Sequence, residues 1–310
     1  MTRIFTLTLS PSLDSATTTA KMYPEGKLRC TVPVFEPGGG GINVARAVVY
    51  LGGQATAIFP IGGPTGEHLS QLLVEEGVQT ETLKTQDWTR QNLHVHVDNS
   101  GEQFRFVMPG ARLNDAEFEQ LMLQVQKIPT DSILVISGSL PPGISTEKLT
   151  HLIRQAKLMG LQCIVDSSGE ALKASLDLGG LALVKPNHNE LSALVGRPLD
   201  NPDDVRSAAQ EIVQSGGSQR VVVSLGPQGA LAVDREHCVQ IVPPPVKKMS
   251  TVGAGDSMVG AMTLKLANGA ELLDIVRFGV AAGSAATLNL GTRLCSLADT
   301  QRLHDYLCKN

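Results

Sequence analysis

The 310-residue chain is 42% hydrophobic, 18% charged and 4% aromatic, which fits a compact α/β enzyme better than a disordered or fibrous chain. Its formal net charge of −4, with no basic block, argues against a nucleic-acid partner. No apolar run reaches the length of a membrane helix and the first residues do not read as a signal peptide. The five scattered cysteines have no Cys-x-x-Cys pair and read as reduced thiols of a cytoplasmic protein, most of them buried as small apolar residues.

In chain order, residues 4–9 read as a buried strand. Residues 16–34, rich in Thr and Val, alternate like an exposed hairpin that ends at Pro37. A glycine run at 38–41 precedes a helix over 42–51, closed by Gly52-Gly53, and 55–61 is again a strand. Residues 92–97 and 103–107 flank Asn99-Ser100-Gly101 and predict a second hairpin, placed beside the first as a small sheet over the larger body. Short apolar runs at 133–136, 163–165, 181–184 and 220–225 then alternate with helical patterns such as 146–159 and 202–215. That alternation predicts a largely parallel sheet with helices on both faces. A late hairpin, 230–233 with 239–242, stops at Pro243-Pro244-Pro245, and the chain beyond Gly255 reads as mostly helical. Ligands of such sheets bind at the carboxyl ends of the strands.

The strongest local signal is Thr251-Val252-Gly253-Ala254-Gly255-Asp256 ahead of an apolar, small-residue helix. Small residues leave backbone N–H groups uncovered at a helix start, where they and the helix dipole suit a developing phosphate charge. Asp256, in the first turn, is placed to take a proton from a sugar hydroxyl. On residue type alone it is equally well a helix-capping acid. Asp14, after the first strand, offers a carboxylate to sugar hydroxyls or simply forms an Asx turn. Asn43, with two donors and one acceptor, suits hydroxyls, and Gly39 and Gly40 let the backbone approach a ligand closely. Lys27, Arg29, Arg90 and Arg105 are candidate cations for a phosphorylated acceptor, although singly each is more often a solvated charge. Ser139 follows a buried strand and adds a hydroxyl. A dinucleotide fingerprint after the first strand and a Walker loop are both absent from the sequence. His94 and His96 share a strand face, but no third ligand stands near, and no metal is assigned to them.

Two separated stretches carry a family resemblance. Residues 250–263 resemble the carboxyl-terminal signature of the ribokinase-like (PfkB) carbohydrate kinases. Gly38-Gly39-Gly40-Gly41-Ile42-Asn43-Val44-Ala45-Arg46, Leu51-Gly52-Gly53 and Gly62-Gly63 resemble the amino-terminal one. The resemblance covers essentially the whole chain, with Ser250 standing where many members carry Asp. It implies a three-layer α/β/α domain over 1–310 with a mostly parallel central sheet. Lid segments of about 15–35 and 90–108 would add a small β-sheet.

The resemblance also implies roles. Gly253, Ala254 and Gly255 would form the anion hole beside Asp256, the base. Ser10-Pro11-Ser12-Leu13-Asp14 is similar to the family's acceptor segment, and Arg90 matches a substrate position. Lys185-Pro186-Asn187-His188-Asn189-Glu190 is similar to the N-x-x-E motif, with Asn187 on nucleotide phosphate and Glu190 organising Mg²⁺ through water. Without that context Glu190 reads as a capping-box acid. Ser224-Leu225-Gly226-Pro227-Gln228-Gly229 is similar to the family's ATP loop, and Lys185, Thr251, Gly253 and Ser284 join the nucleotide set. Residues 285–293 would close over the adenine. Ser250, Val252, Ala286, Asn289, Gly291 and Arg293 would hold a monovalent cation, potassium. Gly40 stands where fructose-1-phosphate and tagatose-6-phosphate kinases usually carry Lys. The loop is most similar to the minor-isozyme 6-phosphofructokinase branch, which implies ATP and fructose 6-phosphate as substrates and a homodimer joined through the lids. Tagatose-6-phosphate or fructose-1-phosphate kinase activity, and from another class a non-catalytic sugar or nucleotide sensor, are the alternatives.

Overall fold

The structure is a computed structural model that describes residues 2–289 and 291–309. Leu290, inside the segment expected over the adenine, lies outside the described residues. Among the described residues nine strands form the large sheet: β1 (Ile4–Leu7), β4 (Thr56–Ile61), β5 (Gln79–Lys84), β8 (Ile133–Ser137), β9 (Gln162–Asp166), β10 (Leu183–Val184), β11 (Val221–Ser224), β12 (Ala230–Val233) and β13 (Cys238–Ile241). Their order is β13-β12-β11-β10-β9-β8-β1-β4-β5, and every pairing is parallel except β11–β12 and β12–β13, so β12 alone runs the opposite way.

The apolar runs explain the layering. Along β8, Ile133 and Val135 face one core while Leu134 and Ile136 face the other. In β11, Val222 is divided from Val221 and Val223 in the same way. A strand buried on both faces needs this continuous apolar sequence, because its period of two feeds two cores at once. One core packs α1 (Gly40–Tyr50), α2 (Gly63–Glu75), α8 (Ala254–Ala267), α9 (Leu272–Thr287) and α10 (Leu297–Lys309). The other packs α3 (Asp115–Val125), α4 (Thr146–Leu158), α5 (Gly169–Leu178), α6 (His188–Val195) and α7 (Pro202–Gln214).

From β1 the chain moves outward through β4 and β5, then returns to β8 on the other side and moves the opposite way. The order therefore reverses at β1 and β8, and the crevice beyond their carboxyl ends is where such sheets bind ligands.

A separate four-stranded sheet has the order β3-β2-β6-β7, from β2 (Ser12–Thr19), β3 (Val34–Gly38), β6 (Arg90–Val97) and β7 (Gln103–Phe106). The two inner strands, β2 and β6, run parallel, and each carries an antiparallel neighbour. The second expected hairpin is present with its turn, Gly101 taking φ 71°.

The first hairpin differs from its expectation. Its inner strand begins at Ser12, its return strand only at Val34, and the connection between is irregular apart from one bridge, Thr19 to Cys30. β2 is an inner strand and largely buried, because its Leu13, Ser15, Thr17 and Thr19 face inward. Lys27 and Arg29 accordingly lie in an exposed connection and not on a strand. The cysteine expectation is also corrected: all five are free, and only Cys163 and Cys295 are buried, while Cys30, Cys238 and Cys308 are exposed. No helix among the described residues is long and apolar enough to cross a membrane.

Candidate active site

The glycine run lies in the crevice where the sheet order reverses. Gly39 takes φ 117° as it enters α1, a conformation that favours glycine. A Cβ there would press on Thr8 and on the backbone of Pro11, beyond β1, and one on Gly40 would collide with Ser137 and Gly138, at the end of β8. Gly38 likewise leaves room for the carboxylate of Asp14. The run thus brings both switch-point loops and the small sheet against the start of α1. The Ile42 amide donates to Thr8 Oγ1 at 2.7 Å and fastens the helix there.

Helix α8 packs against α1 through Gly260, where a Cβ would stand 2.7 Å from Ala47 Cβ. α8 starts after Gly253, which is left-handed at φ 74°. The N–H groups of the first turn are unpaired within the helix and face outward from it. Asp256 lies in that turn, and its Oδ2 accepts a 2.8 Å hydrogen bond from Asn43 Nδ2 on α1. Burial pushes the Asp256 carboxyl up from 3.8 to about 6, and the negative charge of Asp166 adds to the rise. Asn43, Lys185 and Arg46 oppose it. A carboxylate tuned close to neutrality, accepting from a fixed amide and placed at a helix N-terminus, can take a proton beside a phosphate.

Lys185, only 7% exposed, ion-pairs with Asp166 at 3.2 Å. Burial alone would lower its pKa, but Asp166, Asp256 and Glu190 together hold it above the usual lysine value. The negative charges of three carboxylates therefore act on one ammonium, and Asp166 is the one that pairs with it. Asn187 caps α6: its Oδ1 accepts from the Glu190 amide at 2.9 Å, and Glu190 Oε2 accepts from the Asn187 amide at 2.8 Å. The capping box is thus present, and it engages one of the two Glu190 oxygens.

Ser224, Gly226, Gly229, Thr251 and Ser284 line a cavity of about 470 Å³ that Ala254 and Gly255 share. It also borders the three prolines of 243–245, Met258 and Val280. An apolar cleft of this size that opens onto the N-terminus of α8 matches the shape and polarity of a nucleoside carrying phosphates. Residues 249–250 lie against the end of α9 and against Gly291, beside it. Ser250 Oγ donates to the Gly291 carbonyl at 2.8 Å, the Asn289 amide reaches the Ala286 carbonyl, and Asn289 Nδ2 reaches Leu294 O. A Cβ on Gly253 would be 3.9 Å from the Arg293 carbonyl.

The acceptor side is less gathered. Asp14 Oδ1 accepts from Ser12 Oγ at 2.7 Å and Asn92 Nδ2 at 2.8 Å. Arg90 spends Nη1 on Met108 O and Nη2 on Ser10 O, both at 2.9 Å, and its buried Nε has no partner. Burial lowers the Arg90 pKa against the pull of Asp14. Ser139, Lys27, Arg29 and Arg105 are exposed; Arg105 stands opposite His94 in the β6–β7 register. Among the described residues no cluster of three His, Cys, Asp or Glu is placed to hold a metal.

Sequence reasoning missed Asp166, Asn92 and Arg46. Asp166 ends the apolar run of β9, so the rule that singled out Asp14 applies to it equally. Asn92 faces Asp14 across β2 and β6, a pairing visible only once the strands are parallel and in register. Arg46 is the one charged residue of α1 and is 3% exposed.

The pfkB family carbohydrate kinase model matches residues 7–299. The chain belongs to that family. It is 70% identical over 309 residues, 100% of both chains, to ATP-dependent 6-phosphofructokinase isozyme 2 of Escherichia coli. It is 39% identical to the isozyme 2 of Mycobacterium tuberculosis over 304 residues, 98% of this chain and 89% of the other. The crystal structure of the E. coli phosphofructokinase-2 with fructose-6-phosphate superposes with a TM-score of 0.96 at 69% identity, covering 99% of this chain and 100% of that one. The same E. coli protein has been solved with potassium, at a TM-score of 0.97 and 70% identity over 99% of this chain and 100% of that one. It also has a tetrameric inhibited form, at a TM-score of 0.96 and 69% identity over the same shares.

Proposed function

We propose that this pfkB-family kinase transfers the γ-phosphoryl group of ATP to the 1-hydroxyl of fructose 6-phosphate, yielding fructose 1,6-bisphosphate and ADP. The observation that carries the reading is the carboxylate of Asp256. It is fixed by Asn43 at the start of α8, with the 470 Å³ cavity on one side and the glycine run on the other. Asp256 takes the proton of the 1-hydroxyl as its oxygen bonds to the γ-phosphorus. The bond from that phosphorus to the β–γ bridging oxygen breaks, and ADP leaves with the electron pair. The N–H groups at Gly253, Ala254 and Gly255 hold the charge that develops on the moving phosphoryl.

Ser224, Gly226, Gly229, Thr251 and Ser284 bind the nucleotide, with Lys185 and Asn187 toward its phosphates. Asp14, Gly39, Gly40 and Asn43 hold the sugar. Arg90 and Ser139, aided by Lys27, Arg29 and Arg105, receive the acceptor phosphate. Residues 1–310 form one kinase unit with the small sheet as its lid.

Magnesium fits this donor set. Three carboxylates around Lys185 leave the cleft net negative, so a nucleotide polyanion needs a cation with it. Glu190, with one oxygen outside the capping box, is the residue that would hold Mg²⁺ through water. Bound with the nucleotide, the ion would neutralise phosphate charge. Potassium is the cation proposed for Ser250, Val252, Ala286, Asn289, Gly291 and Arg293, and the potassium complex of the E. coli protein supports it.

The edges of the small sheet carry exposed Val34 and Phe106, with Val32 and Val107 beside them. Open apolar edges favour pairing with a second copy, and we read the protein as a cytoplasmic homodimer joined there. Light scattering tests this: a monomer of full activity overturns it, and a tetramer would match the tetrameric inhibited form of the E. coli protein.

ADP release coupled to a dye, across fructose 6-phosphate, tagatose 6-phosphate, fructose 1-phosphate and free fructose, tests the function. The highest kcat/KM is expected for fructose 6-phosphate. A higher value for another acceptor corrects the substrate, and no turnover on any acceptor returns the fold to a sensor.

A further inference from the structure

Arg46 is a buried cation to which no role has yet been given. Its Nε donates to Glu76 Oε2 at 2.6 Å and its Nη2 to Glu76 Oε1 at 2.8 Å, a bidentate pair across α1 and the end of α2. Nη2 also reaches the Tyr50 hydroxyl at 3.4 Å. Nη1 donates to the Pro37 carbonyl at 2.9 Å and to Asn43 Oδ1 at 3.2 Å. Despite heavy desolvation the pKa of Arg46 is held above the usual arginine value, mainly by Glu76.

A guanidinium has donors only. The Asn43 atom facing Arg46 must therefore be the amide oxygen, and this turns the amide nitrogen toward Asp256. An amide locked in that orientation donates to an ionised carboxylate and has no acceptor to offer a protonated one. We propose that Arg46 is a positioning residue for phosphoryl transfer: pinned by Glu76, it fixes the Asn43 amide and through it the carboxylate that accepts the proton. The inference rests on reading Asp256 as the base. The groups that face Asp256 are Asn43 and Arg46 from α1, Asp166 from the end of β9 and Lys185 from beyond β10. Of these, only Arg46 acts through a second side chain of the site.

A purely structural strut between α1, α2 and the root of β3 would use most of the same contacts, so the test must separate the two. Removing Arg46 alone strands the partly buried carboxylate of Glu76. The variants are therefore Arg46→Met with Glu76→Met, an apolar replacement of the pair, and Arg46→Lys, which keeps a cation for Glu76 but loses the separate branch to Asn43. In each folded variant kcat with fructose 6-phosphate should fall about tenfold. The acid limb of its pH profile should move up by about half to one pH unit, because Asp256 loses support for its ionised form. ATP KM should stay within about threefold, a change of under one decade. On an Asn43→Ala background Arg46→Lys, which keeps the positive charge near Asp256, should cost almost nothing further, since what it loses is the branch to Asn43.

A wild-type acid limb in a folded variant, or an Arg46→Lys loss that simply adds on the Asn43→Ala background, would leave Arg46 a strut. Should the double variant fail to fold, Arg46→Lys decides alone. Failure of the base assignment shows separately, as near-normal turnover in Asp256→Asn.

Discussion

The two charged ends of the cleft are built in opposite ways. At the transfer end each polar group is held from another element before any substrate arrives. Asn43 on α1 holds Asp256 on α8, Asp166 at the end of β9 holds Lys185 beyond β10, and Glu76 holds Arg46. At the end proposed for the acceptor phosphate, Arg90 is tied to two backbone carbonyls, while Lys27, Arg29 and Arg105 are exposed. Charge that must be correct in the transition state is preorganised, at a cost in burial. Charge that only selects the substrate can be drawn in by the ligand itself, from side chains that water solvates in the meantime.

The comparison breaks most decisively at Asp256. Asp256→Asn should lower kcat by roughly two to four orders of magnitude, the range for losing a general base, while nucleotide affinity persists. Near-normal turnover would make Asp256 a capping acid. Since only the ionised form accepts a proton, turnover of the wild type should fall as pH drops through about 6. Stability runs the other way. A carboxyl raised from 3.8 to about 6 in the folded state binds more protons than in the unfolded chain between those pH values. Folding therefore loses stability as pH rises through that window, and the cost remains above it. The Asn variant should consequently melt higher than wild type at pH 7.5 and similarly at pH 3.5, which paired thermal melts would check. A lower melting temperature at pH 7.5 would contradict the raised carboxyl.

At the other end the expected effect is smaller. A charge-assisted hydrogen bond is worth about 1.5–3 kcal/mol net, so Arg90→Ala should lower kcat/KM for fructose 6-phosphate roughly ten- to a hundredfold. Free fructose has no phosphate to lose, so its use should change little. The variant also releases the Ser10 and Met108 carbonyls, and the free sugar is the control for that. Equal losses for both acceptors would make Arg90 a strut and would pass the phosphate to Lys27, Arg29 or Arg105.

What the sequence disclosed follows the same division. Strands β8, β9 and β11 were legible because burial on both faces demands unbroken apolar runs. Edge strand β5, Gln-Thr-Glu-Thr-Leu-Lys, carries no such demand and gave no signal. Helix α3 was overlooked although its capping box, Asn114 with Glu117, is written in the chain. Helices α2 and α5 begin after Gly62 and Ser168 with no side-chain cap to mark them. In the site, the glycine signatures and Asp256 stood out because backbone geometry restricts those positions to few residue types. Asn92 and Arg46 could not be seen. Their partners, Asp14 and Glu76, are 78 and 30 residues away in sequence, and only the folded register brings them together.

The finest test concerns Glu190, which belongs to both descriptions. One of its oxygens closes a capping box with Asn187, and its charge reaches Lys185 across the nucleotide side of the cleft. Glutamine also closes a capping box, because its amide oxygen accepts from the N-cap amide as a carboxylate does. Glu190→Gln therefore keeps the cap and removes only the charge. Its melting temperature should be close to that of wild type, while Glu190→Ala, which loses the cap as well, should be less stable by roughly 0.5–1 kcal/mol. If Glu190 organises Mg²⁺ through water, the Gln variant should need several-fold more Mg²⁺ for half-maximal rate, with fructose 6-phosphate KM unchanged, since a neutral amide is a poorer partner for a hydrated dication. A magnesium titration of the three proteins at fixed ATP measures this directly. If the Gln variant matches wild type and only the Ala variant is impaired, Glu190 is a helix cap, and with Asp256 serving as the base the carboxylate near Lys185 that remains for the metal is Asp166.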